Sequence, residues 1–82
     1  MAETARLYTQ TSCGGCIGAK NVLKKLGIPF VEVNVREDEQ AAREVAEFCA
    51  AEGVQASTPV VVFGDEVVVG FRLDALRALK KD

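Results

Sequence analysis

At 82 residues, with a net charge of −2, the chain has the size of one domain, predicted over residues 1–82. The mixed, slightly acidic charge argues against nucleic-acid binding, and no apolar run is long enough to span a membrane. The sequence contains no histidine, which excludes Cys–His and Ser–His catalysis and every histidine-containing zinc site. An N-terminal stretch without an apolar signal and an odd number of cysteines, three, predict a cytoplasmic location.

The first half of the chain predicts a strand, a loop, a helix and a second strand. Ala5 to Thr9 is typical of a short strand, and the polar, glycine-rich stretch Gln10 to Gly15 predicts a loop. A helix follows from Cys16 and ends at Gly27, with apolar residues at helical spacing: Ala19, Val22, Leu23 and Leu26. Phe30 to Val35 alternates as a second strand, parallel to the first because a helix-length crossover joins them.

A second helix is predicted from Glu37 to Glu52, with Gly53 closing it. Its first turn is acidic, which suits the positive end of the helix dipole, and comprises Glu37, Asp38 and Glu39. Its inward stripe consists of Ala41, Val45, Phe48 and Cys49. This position favours a small buried apolar role for Cys49, since free cysteine is often buried.

The remaining residues predict a hairpin and a third helix. Val60 to Phe63 is a continuous apolar run typical of a central strand, and Gly64-Asp65 turns into the returning strand, Glu66 to Val69. The last helix runs from about Arg72 to Lys81 and directs three leucines inward, Leu73, Leu76 and Leu79, with Lys80 and Lys81 at its negative end. The order β-α-β-α-β-β-α predicts an α/β fold in which helices cover both faces of a four-stranded mixed sheet.

The segment Cys13-Gly-Gly-Cys16 carries the predicted chemistry. Two cysteines three residues apart at a loop-to-helix junction can form a disulfide, and the helix start stabilises a thiolate. Cys13 should be the exposed nucleophile and Cys16 the more buried resolving thiol. An accidental pair is the alternative interpretation. A zinc site would need four ligands, and the pair offers only Cys49 as a third, so no metal site is predicted within one chain.

Ser57-Thr58-Pro59 precedes the third predicted strand. Proline is tolerated at the first position of a strand, which explains it without any function. Alternatively, a cis-proline turn would place the neighbouring backbone beside Cys13, where it could pair with an extended substrate peptide.

The Cys-x-x-Cys pair after a first strand, within this element order, resembles the glutaredoxin family over almost the whole chain. Leu7-Tyr8-Thr9 leading into the pair is similar to the start of that family, and Thr58-Pro59-Val60-Val61 resembles its substrate-binding cis-proline segment. The resemblance implies a thioredoxin-like fold, a cis bond before Pro59, and a substrate-binding role for Ser57, Thr58 and Pro59.

Gly70-Phe71-Arg72-Leu73-Asp74 is the discriminating segment. It resembles the Gly-Phe-Arg-Pro-Asp of NrdH-type redoxins more than the Gly-Gly-x-Asp-Asp of glutathione-using glutaredoxins. The resemblance implies that Gly70, Phe71, Arg72 and Asp74 contact the partner. Without the family, Arg72 and Asp74 could be a solvated helix start, or Arg72 could order the loop beside Pro59 and help to dock a partner. Phe71 could be a hydrophobic staple onto the last helix. The chain departs from the patterns at Leu73, in the Gly-Gly dipeptide, and at Gln10, where many glutaredoxins carry lysine.

The resemblance implies a small dithiol thiol–disulfide oxidoreductase that acts as a monomer on protein disulfides, with ribonucleotide reductase as a candidate target. Thioredoxin reductase or glutathione would re-reduce it, and no cofactor is expected beyond the redox-active disulfide, with glutathione as a candidate. The alternative function is an iron–sulfur cluster carrier, a glutathione-assisted dimer with Cys13 of each chain as a ligand. Lys20, Lys24 and Lys25 form a predicted solvated face that could also steer an acidic partner.

Overall fold

The computed structural model describes residues 4–11 and 13–79. Its elements, in chain order, are β1 (Ala5–Thr9), α1 (Gly14–Leu26), β2 (Phe30–Asn34), α2 (Glu39–Ala51), β3 (Val60–Phe63), β4 (Glu66–Val69) and α3 (Leu73–Ala78). The sheet has the strand order β2-β1-β3-β4, with β1 parallel to β2 and the other two pairings antiparallel. The predicted α/β fold, a four-stranded mixed sheet with helices on both faces, is confirmed. None of the helices within these residues has the length and apolar character needed to cross a membrane.

Side chains on alternate strand positions build two cores, one on each face of the sheet. Leu7 and Val61 point to the face covered by α1 and α3, where they join a buried cluster with Leu23 and Leu76. Their neighbours Tyr8 and Val60 point to the other face and pack with the buried residues of α2, namely Ala41, Val45 and Cys49. The alternation follows from the two-residue period of a strand. Packing on both faces therefore holds the central strands in place, and with them the carboxyl end of β1, which precedes α1 in the chain.

Helix α1 begins at Gly14, so Gly14 and Gly15 belong to the helix and not to the predicted loop. Cys13 is extended, with φ −111°, and its Sγ accepts the Cys16 N–H, so it serves as the N-cap. Serine, threonine and aspartate are the usual residues there, and a sulfur cap gives no comparable signal in the sequence. The far end is as predicted, because Gly27 adopts a left-handed conformation with φ 72° and closes the helix.

Helix α2 begins at Glu39, two residues later than predicted, because the Asp38 carboxylate caps it by accepting the Ala41 N–H at 3.1 Å. Glu39 is consequently the acidic residue of its first turn, and Glu37 precedes the helix. The inward stripe is confirmed, with Phe48 partly buried. Strand β2 ends one residue earlier than predicted, at Asn34, although the Val35 N–H still bonds the Thr9 carbonyl at 2.8 Å.

Helix α3 is shorter than predicted, with Arg72 as its N-cap and Leu79 as its C-cap. Leu76 and Leu79 are buried, but Leu73 is 40% exposed, so its predicted inward orientation is wrong. Leu73 is the first helical residue, and it lines an open groove between α1 and α3 instead of entering the core. The predicted positions of Lys80 and Lys81 lie outside the described residues.

Candidate active site

Cys13 and Cys16 form a disulfide at the N-terminus of α1, with their Cα atoms 5.2 Å apart. Cys16 is only 4% exposed, whereas Cys13 is partly exposed, as the position of each relative to the helix start predicts. The Cys16 N–H donates to Cys13 Sγ at 3.1 Å. An incoming sulfur therefore reaches Cys13 first, and Cys16 lies behind it, one helical turn away.

A second donor converges on the same sulfur. The Thr58 hydroxyl donates to Cys13 Sγ at 3.4 Å, across 45 residues of chain. Two donors aimed at one sulfur stabilise it more as a thiolate than as a thiol, because hydrogen bonds to a charged acceptor are stronger than those to a neutral one. The sequence predicted Thr58 in a substrate-binding segment but contained no signal that its hydroxyl would reach Cys13 Sγ.

Residues 57–59 are held against the rest of the molecule by bonds to other elements. The Thr58–Pro59 peptide bond is cis, as the resemblance implied, and Pro59 is buried. The Pro59 carbonyl accepts the Gly70 N–H at 2.8 Å. The thiol of Cys49, fully buried on α2, donates to the Ser57 carbonyl at 3.7 Å. Cys49 therefore has the predicted buried position and, in addition, a contact with the loop beside the disulfide.

Phe71 packs on α1 beside the disulfide. A Cβ added at Gly18 would lie 3.0 Å from Phe71 Cε1, and one added at Gly15 would lie 3.4 Å from Phe71 Cβ and 3.2 Å from Pro59 Cδ. These two glycines, three residues apart on one side of α1, leave the space that the ring needs. The ring nevertheless remains 46% exposed. The ring of Phe71 contacts α1, whereas the staple hypothesis places Phe71 on the last helix.

Arg72 and Asp74 are exposed on the segment that follows. Within residues 4–11 and 13–79 the Arg72 side chain makes no hydrogen bond, so it does not order the loop beside Pro59; the backbone bond from Gly70 does. Among the predicted substrate-binding residues, the structure brings Thr58, Pro59 and Phe71 to the start of α1 beside the disulfide, and Gly70 is bonded to Pro59. Ser57, Arg72 and Asp74 are exposed.

An uncharged cavity of about 210 Å³ opens beside Thr58. Its lining comprises Gln10, Val35, Ala42, Val45, Ala56, Ser57 and Thr58. Glutathione carries two carboxylates, and none of these side chains offers a positive charge to bind either one. This cavity therefore offers no ion-pair partner to a carboxylate.

Charged groups elsewhere form two small clusters. On the α1 side, Lys20 pairs with Glu32 at 2.8 Å and the Thr9 hydroxyl donates to the same carboxylate at 3.1 Å. The Lys20 hydrogen bond, more than any other contact, holds the pKa of Glu32 below its ordinary value. Lys24 and Lys25 are exposed, as predicted. Across the parts of the chain that the structure describes, no group of three or more Cys, Asp or Glu residues is arranged to hold a metal ion.

The second cluster lies on the α2 face and was not predicted. The Tyr8 hydroxyl donates to Glu44 at 2.5 Å and accepts from Arg6 at 2.7 Å, beside an open cavity of about 270 Å³. Burial, followed by the bond to Glu44, raises the pKa of Tyr8 above its ordinary value. None of these three side chains is bonded to the disulfide or to residues 57–59, so the cluster belongs to the packing of α2 on the sheet.

Three comparisons with known proteins agree on one family. The glutaredoxin family model matches residues 5–68. A glutaredoxin-like 8.6 kDa protein from the rubredoxin operon of Clostridium pasteurianum is 32% identical over 66 residues, which cover 80% of this chain and 83% of that protein. The NrdH-redoxin of Escherichia coli, a glutaredoxin-like protein with a thioredoxin-like activity profile, superposes with a TM-score of 0.76 at 30% identity, covering 96% of this chain and 97% of that one. A glutaredoxin from Archaeoglobus fulgidus superposes with a TM-score of 0.75 at 27% identity, and the match covers 100% of this chain and 89% of that one.

Proposed function

The chain belongs to the glutaredoxin family, and on that premise we propose that it is a dithiol oxidoreductase that reduces protein disulfides through Cys13 and Cys16. The observation that carries the proposal is the disulfide itself. Its outer sulfur lies at the start of α1 and accepts two hydrogen bonds, while its inner sulfur is buried one turn behind. This asymmetry is what a nucleophile and a resolving thiol require.

The exchange passes one electron pair in two steps. In the reduced protein the Cys13 thiolate attacks one sulfur of the substrate disulfide, forms a mixed disulfide, and releases the other substrate sulfur as a thiolate, which takes up a proton. Cys16 then loses its proton and attacks Cys13 Sγ. The Cys13–Cys16 bond forms, the mixed disulfide breaks, and the substrate leaves as a dithiol. The substrate has gained two electrons and two protons, and the redoxin is oxidised.

The same geometry separates the two thiols in reactivity. The donors on Cys13, from Cys16 N–H and from Thr58, favour its thiolate and make it both the better-populated nucleophile and the better leaving group. Burial disfavours a free thiolate at Cys16, so this thiol reacts when the mixed disulfide has formed within its reach. The order of the two steps is thereby set.

Thioredoxin reductase is the reductant we propose, with glutathione as the alternative. The uncharged cavity beside Thr58 and the segment from Phe71 to Asp74, which lacks the paired aspartates, both weigh against a glutathione cycle. The similarity to an NrdH-redoxin with a thioredoxin-like activity profile supports the same choice and keeps ribonucleotide reductase as a candidate target. We place the reaction in the cytoplasm, where the reductase systems keep thiols reduced, and propose a monomer as the working unit.

A carrier of iron–sulfur clusters is the second function that the family permits, and it stays a prediction here. It requires Cys13 as a free thiolate and small thiols as the remaining ligands. Anaerobic reconstitution with iron and sulfide, in the presence of glutathione, tests it directly. A brown dimeric product would support the cluster-carrier function, and a colourless monomer would rule it out.

The proposed function is tested by NADPH consumption with insulin as the disulfide substrate. One reaction contains thioredoxin reductase, and the other contains glutathione with glutathione reductase. We expect turnover in the first, a loss of at least about a thousandfold in Cys13→Ser, and retained turnover in Cys49→Ser, whose hydroxyl can still donate to Ser57. Turnover of Cys13→Ser would disprove the assignment, and turnover only with glutathione would reverse the choice of reductant.

A further inference from the structure

A groove between α1 and α3 takes no part in the chemistry described above. It has a volume of about 330 Å³ and is lined by Val22, Leu26 and Leu73, with Lys25 and Arg77 contributed by the two helices. Val22 and Leu26 are partly buried against the core, and Leu73 is 40% exposed. Neither Lys25 nor Arg77 has an ion-pair partner among the described residues. The groove therefore combines an apolar floor with two unpaired cations.

The groove continues the apolar surface that begins at the disulfide. Gly15, Gly18, Val22 and Lys25 follow one another at spacings of three and four residues and so lie along one side of α1. The ring of Phe71 covers the first two, and the groove opens one turn further along. At about 1.5 Å of rise per residue, the groove spans about 9 to 15 Å from Cys16 along the helix.

The charge and the apolar floor together specify an occupant. Two cations on opposite sides attract carboxylates and repel a basic segment, while the floor accepts a large apolar side chain. An extended peptide advances about 3.3 Å per residue, so about three to five residues bridge the distance from the disulfide. Exposed apolar side chains in such a position lose water-accessible surface only when a partner covers them.

We propose that this groove binds an acidic, apolar segment of the disulfide substrate, located about three to five residues from the cysteine that Cys13 attacks. The inference rests on the proposed function and adds to it a substrate class: cysteines with a nearby large apolar residue flanked by Asp or Glu. The inference can also be distinguished from general electrostatic steering of an acidic partner, because Lys25 lines the groove while Lys24, its neighbour in sequence, does not.

The test uses the full chain and three disulfide-linked synthetic peptide dimers. Each peptide has one cysteine and, about four residues away on both sides, the motif Glu-Leu-Glu, Lys-Leu-Lys or Glu-Ser-Glu. Bis(2-hydroxyethyl) disulfide serves as a substrate too small to reach the groove. The charge-reversed protein is Lys25→Glu with Arg77→Glu, and the matched control is Lys24→Glu with Arg43→Glu, which makes the same charge change at exposed sites outside the groove.

We expect the Glu-Leu-Glu peptide to have the lowest KM, and the groove double variant to raise that KM roughly five- to tenfold at low ionic strength. Turnover of the small disulfide should stay within about twofold in both double variants, and the control pair should leave the peptide KM within the same range. Leu73→Ser, a change at an exposed position, should remove the difference between the Leu and Ser peptides.

Equal KM values for the acidic and basic peptides would overturn the inference, as would an equal effect of the control pair. A KM that instead tracks a concentration-dependent dimer of this chain would assign the groove to a second copy and overturn it as well. Failure to reduce the small disulfide is a different result, since it would contradict the proposed function and not the docking segment.

Discussion

Two segments flank the Cys13–Cys16 disulfide, and they are built differently. Residues 57–59 are bonded to the nucleophile through Thr58, to α2 through Cys49, and to the start of the second segment through the Pro59 carbonyl. Apart from the bonds of α3 and its cap, residues 70–74 have that one backbone bond and the contact of Phe71 with α1, and Phe71 and Leu73 are 46% and 40% exposed. The firmly held segment donates a hydrogen bond to Cys13 Sγ, and among the described residues no hydrogen bond joins the exposed segment to the disulfide.

If the chain acts as proposed, residues 57–59 serve the chemistry and residues 70–74 serve recognition of the partner protein. A segment that must hold a hydroxyl near a sulfur needs several bonds to fix its position, because small displacements weaken a hydrogen bond steeply. A segment that meets varied partner proteins instead needs exposed apolar area. Loss of the Thr58 hydroxyl should therefore alter the reaction with every disulfide, and changes in residues 70–74 should alter only the reaction with disulfides large enough to reach them.

Among changes in the two segments, the largest effect is expected from Phe71→Ala. Truncation removes an exposed aromatic surface beside the disulfide, so the KM for a protein disulfide such as insulin should rise roughly tenfold, with the rate on a small disulfide unchanged. Steady-state kinetics with both substrates measures this contrast. Val31→Ala, which truncates a side chain 55% exposed on the edge strand β2, is the control and should change neither rate. Equal losses on both substrates would show that Phe71 acts on the chemistry.

Thr58→Val should have a smaller effect that is shared by all disulfides. The replacement keeps the shape of the side chain and removes the hydroxyl that donates to Cys13 Sγ. Loss of one such bond should leave less of reduced Cys13 as thiolate and slow exchange near neutral pH roughly two- to fivefold. The thiolate absorbance near 240 nm at neutral pH measures this fraction. Ser57→Ala is the neighbouring control, because Ser57 is exposed and the Cys49 bond uses its backbone carbonyl. A slower exchange with protein disulfides alone, and not with small disulfides, would contradict the assignment of Thr58 to the chemistry.

The smallest effect is expected from Lys20→Met, which touches neither segment. Lys20 is the main cause of the lowered pKa of Glu32, so the pair stabilises the fold when Glu32 is ionised. This contribution is present above about pH 4.5 and is lost as the pH falls through the lowered pKa. Because Glu32 is 42% exposed and screened by solvent, we expect a loss of less than about 0.5 kcal/mol in urea unfolding at neutral pH. A loss that is undiminished in acid would contradict the assignment to this pair.

Local patterns predicted the strands and the pairing of Cys13 with Cys16 well. The bounds of β1, β3 and β4 follow from a short alternating run, a continuous apolar run and the Gly64-Asp65 turn, all of which involve residues adjacent in sequence. The cysteine spacing and the helix that follows it are equally local. The start of α1 was misplaced because two glycines are poor helix formers, and the sulfur that caps the helix is an unusual acceptor.

The features missed in the sequence all depend on contacts between distant residues. Nothing near Thr58 indicates that its hydroxyl meets a sulfur 45 residues away, and nothing near Phe71 indicates that Gly18 leaves space for its ring. The periodicity of Leu73, Leu76 and Leu79 predicted three buried residues, but periodicity cannot show that the first of them lines an open groove beside α1. Contacts between segments distant in sequence are therefore harder to predict than the cysteine pair that forms the disulfide.

Mass-spectrometric trapping of the mixed disulfide tests the central claim, that Cys13 alone begins the exchange. Cys16→Ser, reduced and then mixed with oxidised insulin, lacks the resolving thiol and should accumulate one covalent adduct. Peptide mapping should place this adduct on Cys13 and leave Cys49 unmodified, because its side chain is fully buried. An adduct on Cys49, or none at all while the wild-type protein turns over, would contradict the account.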